Sequence, residues 1–430
     1  MKPDLINERE YASNGIKVYS CTNEHLHTFS ICCYIKAGLL YEDKSEQGIT
    51  HLFEHMVFRN LKSKYDIDFY DLLVSGKLWF NAATYNEFVQ FSFSGLPEGF
   101  ALACELITKM FDDFTLSKEE YNTELGRVKA EIRENSEKTT ITYFADSKVW
   151  HGTNLEGTIC GSCGGLDKIS KTRLNEYKNK IISKDNFFFY LTGNAVDKDI
   201  EMLLKSLEHI KVSEKALNRS NTAFLPDDFG KRKNEVYVKN NDYYYVRISF
   251  DTDNSVIPFE IQDIIYSVLF NGDDAAVYQN LSERNHFIYS YDCVYEQYRN
   301  AGCIKLQFEV SSRKIYDAIE ETVNIFNSLK NGAFSLQNAF NKHEMKQLSD
   351  FDNPDALNFV LALENHLLRN EKSAYADFAS VTKEDVCSAV RKLFIPDNCV
   401  IALKGRKKDI DCNRIKKIID RLNCHDSGEF

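Results

Sequence analysis

Short apolar or alternating segments open each half of the chain, and longer stretches with helical spacing follow them. Residues 16–21 and 28–35 read as strands in the first half, and 235–239 and 243–250 in the second. Helical periodicity then runs through 97–114 and 117–136. Strands and helices that segregate in this way predict an α+β fold, with mainly antiparallel sheets covered by helices.

The pattern repeats. Ser170 and Thr382 each open a helix as hydroxyl N-caps, with Leu174 and Val386 four positions on. Asp185-Asn186 and Asp397-Asn398 end those helices, and the apolar strands 187–191 and 399–403 lead to Gly193 and Gly405. Each of these pairs is separated by 212 positions. A Lys-Asp-Ile (198–200 and 408–410) follows in both copies. One spacing held across helix, turn, strand and glycine predicts two similar domains. We expect a first domain over 1–211, a polar linker over 212–234 containing Pro226 and Gly230, and a second homologous domain over 235–430.

The 430 residues are ample for two cores, with 30 Phe and 23 Tyr to fill them. A net charge of −11 argues against a nucleic-acid partner, and the basic runs at 231–233 and 406–408 read as solvated loops. No run approaches the ~18 apolar residues that span a bilayer, and residues 1–10 lack the apolar core of a secretory signal. Twelve cysteines, mostly scattered, suit reduced thiols and a cytoplasmic location.

The chemistry concentrates in Gly48-Ile49-Thr50-His51-Leu52-Phe53-Glu54-His55-Met56. On a helix, His51, Glu54 and His55 share a face, so two imidazoles can reach one Zn2+ with a carboxylate beside it. Zinc needs a third protein ligand and an open position. The helix opened by the capping box at Ser117 and Glu120 carries Glu124 and Glu131, seven residues apart and nearly on one face. Glu131 is the expected third ligand, with Glu134 competing one turn on. Glu124 is expected to support a histidine or the water, and Glu54 to act as catalytic base.

Residues 48–58, with Glu124 and Glu131, resemble the inverzincin zinc peptidases of the pitrilysin and mitochondrial-processing-peptidase family, in its short-chain branch. There the glutamate ligand follows the motif at a spacing like the 76 residues from His55 to Glu131. Asn81-Ala82-Ala83-Thr84, with the strand 88–93, resembles the family's substrate-binding edge, and 151–161 a worn glycine loop. The resemblance runs from about residue 15 to residue 405. It implies that His51, His55 and Glu131 hold one zinc per chain, that Glu54 is the base, and that a peptide adds as a strand at Asn81, Ala82 and Thr84.

In the second half the resemblance implies a substrate-gripping arginine and, seven residues later, a tyrosine. Tyr289 keeps the tyrosine, Ser282 stands at the arginine position, and Arg284 lies two residues off register. Family chains of this length build half a closed chamber. The resemblance therefore implies a partner, taken as a heterodimer with a second family member, with a homodimer as the alternative. The implied function is a metalloendopeptidase acting on oligopeptides or a precursor's leader peptide. A non-catalytic structural or chaperone-like subunit on the same fold is the competing reading, and a zinc hydrolase of non-peptide substrates a further one.

Other features read as ordinary. Cys160 and Cys163 form a lone pair in a glycine-rich loop, His25 and His27 sit on a turn, and 243–245 divides its tyrosines between core and surface. The role of His286 stays open.

Overall fold

A computed structural model describes residues 7–65, 68–134, 141–214, 225–368 and 378–423. These residues form two compact units. The first comprises the described residues of 7–134, 157–214 and 347–368, and the second those of 141–156, 225–346 and 378–423. A single cut at 211–235 would assign 141–156 to the first unit and 347–368 to the second; each packs the other way. Part of the expected linker, 215–224, lies outside the described residues, as do 1–6 and 135–136.

The first unit's sheet contains β1 (Arg9–Ser13), β2 (Ile16–Thr22), β3 (Phe29–Ile35), β4 (Leu78–Thr84), β5 (Val89–Gly95) and β6 (Phe187–Gly193), in the order β1-β2-β6-β3-β5-β4. Only the β2–β6 pairing is parallel. β3 and β6 are buried along their whole length, which is why they read as continuous apolar runs. Phe29, Ile31, Cys33 and Ile35 face the main core. Cys32 and Tyr34 face the opposite side, which the helix Pro354–Ala362 covers with Leu357 and Leu361. Asn358 from that helix accepts from the Tyr34 hydroxyl at 2.9 Å and donates to the Tyr190 carbonyl at 2.8 Å, satisfying its buried amide.

The second unit repeats the arrangement without the β1 counterpart. β7 (Glu235–Asn240), β8 (Tyr245–Thr252), β9 (Tyr291–Gln297), β10 (Gly302–Glu309) and β11 (Cys399–Gly405) run in the order β7-β11-β8-β10-β9, and only β7–β11 is parallel. The repeated elements are equivalents. Ser170 and Thr382 cap their helices through the Arg173 and Asp385 amides. Asn186 and Asn398 each donate to the carbonyl five residues back, Ile181 at 2.7 Å and Leu393 at 3.0 Å.

Three expectations need correction. The two Lys-Asp-Ile copies are not equivalent: 198–200 lie in the first turn of the helix Asp197–Leu207, whereas 408–410 precede the helix Cys412–Ile419, because their spacing is 210 rather than 212. The strand after Thr84 is Val89–Gly95, and it is paired on both sides; the edge strand on this side of the sheet is β4. Arg232, in a run read as solvated, is 2 % exposed, with Nε donating to Asp251 Oδ2 at 2.6 Å. Its partner at position 251 is too distant in sequence for a local charge pattern to reveal.

The far face of the second sheet is polar yet covered. Asp146, on the helix Thr142–Val149, accepts from Arg247 Nη1 at 2.6 Å and from Lys305 Nζ at 2.7 Å. Both cations are buried, so each depends on its carboxylate. Glu296 completes the cluster by pairing with Lys305 and accepting from Trp150 Nε1.

Candidate metal centre

The motif helix, Ile49–Lys62, begins at Gly48, whose φ of 92° is costly for any residue with a side chain. A Cβ there would also stand 2.6 Å from the Cys160 carbonyl oxygen. The first turn is capped from a distance. The carboxylate of Glu42 accepts the amides of Gly48 at 2.8 Å and Thr50 at 2.9 Å, satisfying donors that every helix start leaves orphaned. Leu52, Phe53, Met56 and Val57 sink into the core, which turns His51, Glu54 and His55 toward the acid-bearing helix, Lys118–Glu134. That helix is fixed by its capping box, where Ser117 and Glu120 exchange hydrogen bonds, and by the Tyr121 hydroxyl, which donates to the Ile169 carbonyl at 2.7 Å.

Glu131 meets both histidines. Its Oε2 lies 3.7 Å from His51 Nε2 and 3.5 Å from His55 Nε2. Ligands bonded to one tetrahedral zinc at ~2.1 Å stand about 3.4 Å from one another. Glu131 is therefore spaced to share an ion with each histidine, and the chemistry of the set, two imidazoles and a carboxylate, suits zinc. His51 is 7 % exposed, with Nδ1 lacking a hydrogen-bond partner among the described residues. Burial, with His55 beside it, lowers the His51 pKa to about 4, so it is neutral at physiological pH, as a ligand must be. Glu134, the competing acid, sits on the exposed end of its helix.

Glu124 stands behind His55. Its Oε1 lies 3.1 Å from His55 Nδ1, and its Oε2 accepts from Arg127 Nη1 at 3.2 Å. Burial works to raise the Glu124 pKa, but the His55 hydrogen bond and the nearby positive charges bring it below the ordinary glutamate value. An ionised acid on Nδ1 directs Nε2 toward the metal position. His55 itself is opposed by burial, yet the Glu124 hydrogen bond and the charges of Glu54, Glu124 and Glu131 raise its pKa.

Glu54 does not join the triangle. Its Oε2 accepts from the Thr84 hydroxyl at 2.5 Å, and burial raises its pKa above the ordinary value, as suits a base. Thr84, expected to touch substrate, thus ends the open edge strand at the carboxylate. Asn81 and Ala82 lie on the same strand, opposite Ser92 and Phe91 of β5. Arg284 and Tyr289 belong to the second unit. Arg284 donates to Asn280 at 3.2 Å, and the Tyr289 side chain is fully in solvent. Tyr278, Ser282, Glu283, His286 and Tyr289 line an open cavity of about 630 Å³ there.

Sequence reading missed two members of the site. Glu42 had no periodic relation to the motif. Cys160 was paired with Cys163, yet its sulfur belongs with His51 and Glu131, where the three candidate ligand atoms lie within 4.8 Å of one another. Burial and the nearby Glu131 and Glu54 push the thiol up to about 12.

Comparison with known proteins gives matches along most of the chain. Residues 17–162 match the description "Insulinase (Peptidase family M16)", and residues 168–341 match "Peptidase M16 inactive domain". Rat (Rattus norvegicus) mitochondrial-processing peptidase subunit beta is 26 % identical over 38 % of this chain and 34 % of its own length. An uncharacterized zinc protease of Rickettsia felis is 20 % identical over 95 % of this chain and 94 % of its own. Thus the chain aligns with about a third of the first relative's length but nearly all of the second's. Among solved structures, a protease from Helicobacter pylori superposes with a TM-score of 0.80 at 15 % identity, covering 93 % of this chain and 100 % of that one. A chain of complex III2 from Candida albicans gives 0.76 at 15 % identity, over 96 % of this chain and 99 % of that one. With both family domains matched in order and the two-unit fold shared, the chain belongs to peptidase family M16, the insulinase family, whose relatives include zinc proteases.

Proposed function

We propose that the chain is a zinc metalloendopeptidase that holds one Zn2+ through His51, His55 and Glu131. The observation that carries this is the convergence of both Nε2 atoms on a single oxygen of Glu131. When bound, zinc polarises an amide carbonyl and makes water acidic enough to attack near neutral pH. Glu54, aligned by Thr84, takes the proton of the attacking water and hands it to the departing amine. Glu124 keeps His55 oriented throughout. An extended peptide adds to the open edge of β4, with main-chain contacts at Asn81 and Ala82 leading toward Glu54.

The substrate class is an oligopeptide or a precursor's leader, cleaved in a closed chamber that admits extended chains. Arg284 and Tyr289 contribute to holding it. A partner subunit completes the chamber: a second family member, with a second copy of this chain as the alternative. The rat relative is itself named a subunit. No described helix is long and apolar enough to cross a membrane. Unpaired thiols at all eleven described cysteines favour the reducing cytoplasm.

The test is Glu54→Gln. It should cut peptide hydrolysis by about 10²–10⁴-fold while zinc stays bound. A wild-type protein that binds zinc yet cleaves no member of a peptide library, alone or with a second family member, would favour the non-catalytic subunit instead.

A further inference from the structure

The loop that carries Cys160 is pinned to both ligand-bearing helices. Gly161 has a φ of +68°, and a Cβ there would fall 2.1 Å from the Gln47 carbonyl oxygen, so the loop lies directly against the start of the motif helix. Thr158 closes the turn: its carbonyl accepts the Gly161 amide at 2.9 Å, and its hydroxyl donates to the Gly161 carbonyl at 3.0 Å. On the other side, Asp167 pairs with Lys129, and the Cys163 sulfur reaches the Lys129 carbonyl at 3.9 Å, both on the acid-bearing helix. This clamping sets Cys160 Sγ in one cluster with His51 and Glu131.

We propose that Cys160 supplies the fourth ligand to the ion held by His51, His55 and Glu131, so that the resting protein carries a thiolate where hydrolysis requires water. The inference rests on the zinc site proposed above. The geometry supports it. The Cys160 sulfur, an imidazole nitrogen of His51 and a carboxylate oxygen of Glu131 fall within 4.8 Å of one another, so the clamped loop holds the sulfur beside two of the three proposed ligands. His51, whose Nε2 faces Glu131, is more than nine-tenths buried there. On coordination the sulfur gives its proton to bulk solvent and a metal-bound water leaves; nothing is oxidised or reduced. The consequence is latency, because the water position opens only when a substrate or a thiol-blocking reagent displaces the sulfur.

The full-length protein, stripped of metal and loaded with Co2+, reports on this directly. Wild type should show a near-ultraviolet thiolate-to-cobalt charge-transfer band together with visible ligand-field bands. Cys160→Ala should lose only the first, and Cys163→Ala should keep both. Ligand-field bands without charge transfer in wild type would overturn the proposal while leaving the histidine–glutamate site intact. Failure to bind cobalt would remove that site and the proposal with it. Should Cys160→Ala not fold, wild type alone decides: added Zn2+ should slow alkylation of Cys160 by N-ethylmaleimide about tenfold or more, and equal labelling with and without zinc would overturn it.

Discussion

Glu124 offers the sharpest test of how the site is built, because in the proposed site it acts on the metal only through His55. It is 8 % exposed at the side chain, its Oε1 lies 3.1 Å from His55 Nδ1, and Arg127 occupies its other oxygen. Removing such a partner from a ligating histidine weakens metal binding by about 10–100-fold, which corresponds to about 1.4–2.7 kcal/mol. Glu124→Ala loses both the acceptor and the charge, and should fall at the large end. Glu124→Gln keeps an oxygen that can accept from Nδ1–H but loses the charge, so it should fall nearer tenfold. Competition against a chromogenic zinc chelator gives the dissociation constants, and circular dichroism checks that the fold survives. If both variants fold and bind zinc as tightly as wild type, the orienting role is wrong, and with it the reason for Glu124 in this position.

Further outcomes follow from the same structure. Burial tends to raise the Glu8 pKa, but hydrogen bonds from His366, Tyr190 and Asn365 lower it from 4.5 to about 2. Because the folded pKa is depressed, the stabilisation of about 3 kcal/mol is complete above 4.5 and fades as pH falls toward 2. Denaturant titrations of wild type and Glu8→Gln should therefore differ at pH 6 and converge in acid; a pH-independent difference would contradict this. In the second unit, Asp146→Ala leaves Lys305 and Arg247 buried without their shared acid, and should cost about 3 kcal/mol. Adding Lys305→Met should restore part of that loss in thermal melts, whereas strictly additive losses would show that the two residues are not coupled.

The sequence was most legible where a local signal coincides with a structural unit. The 212-residue spacing gave equivalent strands β6 and β11 because helix caps, the turn asparagines and the closing glycines recur together. The shared face of His51, Glu54 and His55 on one helix, and of Glu124 and Glu131 on another, was legible from helical spacing, since side chains three, four and seven apart share a face. What was hidden depends on long-range contact. The exchange of 141–156 and 347–368 between units leaves no periodic trace, because a covering helix reads the same whichever sheet it covers. Glu42 and Cys160 join the site through loops, and the bond from Thr84, expected only at the substrate edge, to Glu54 depends on a strand edge where register, rather than sequence spacing, fixes the distance. Strands β9 and β10 escaped notice among polar residues, Lys305 and Asp292 included, that are satisfied only by partners across the sheet or beneath it.

The central claim is that two imidazoles of one helix and one carboxylate of another bind a single ion. Metal analysis of purified wild-type protein and of His51→Ala, His55→Ala and Glu131→Gln, each dialysed against excess Zn2+ and then desalted, measures it directly. The account predicts about one zinc per wild-type chain and little or none in each variant. A wild-type chain that emerges without metal, or a Glu131→Gln variant that keeps its full complement, would contradict it.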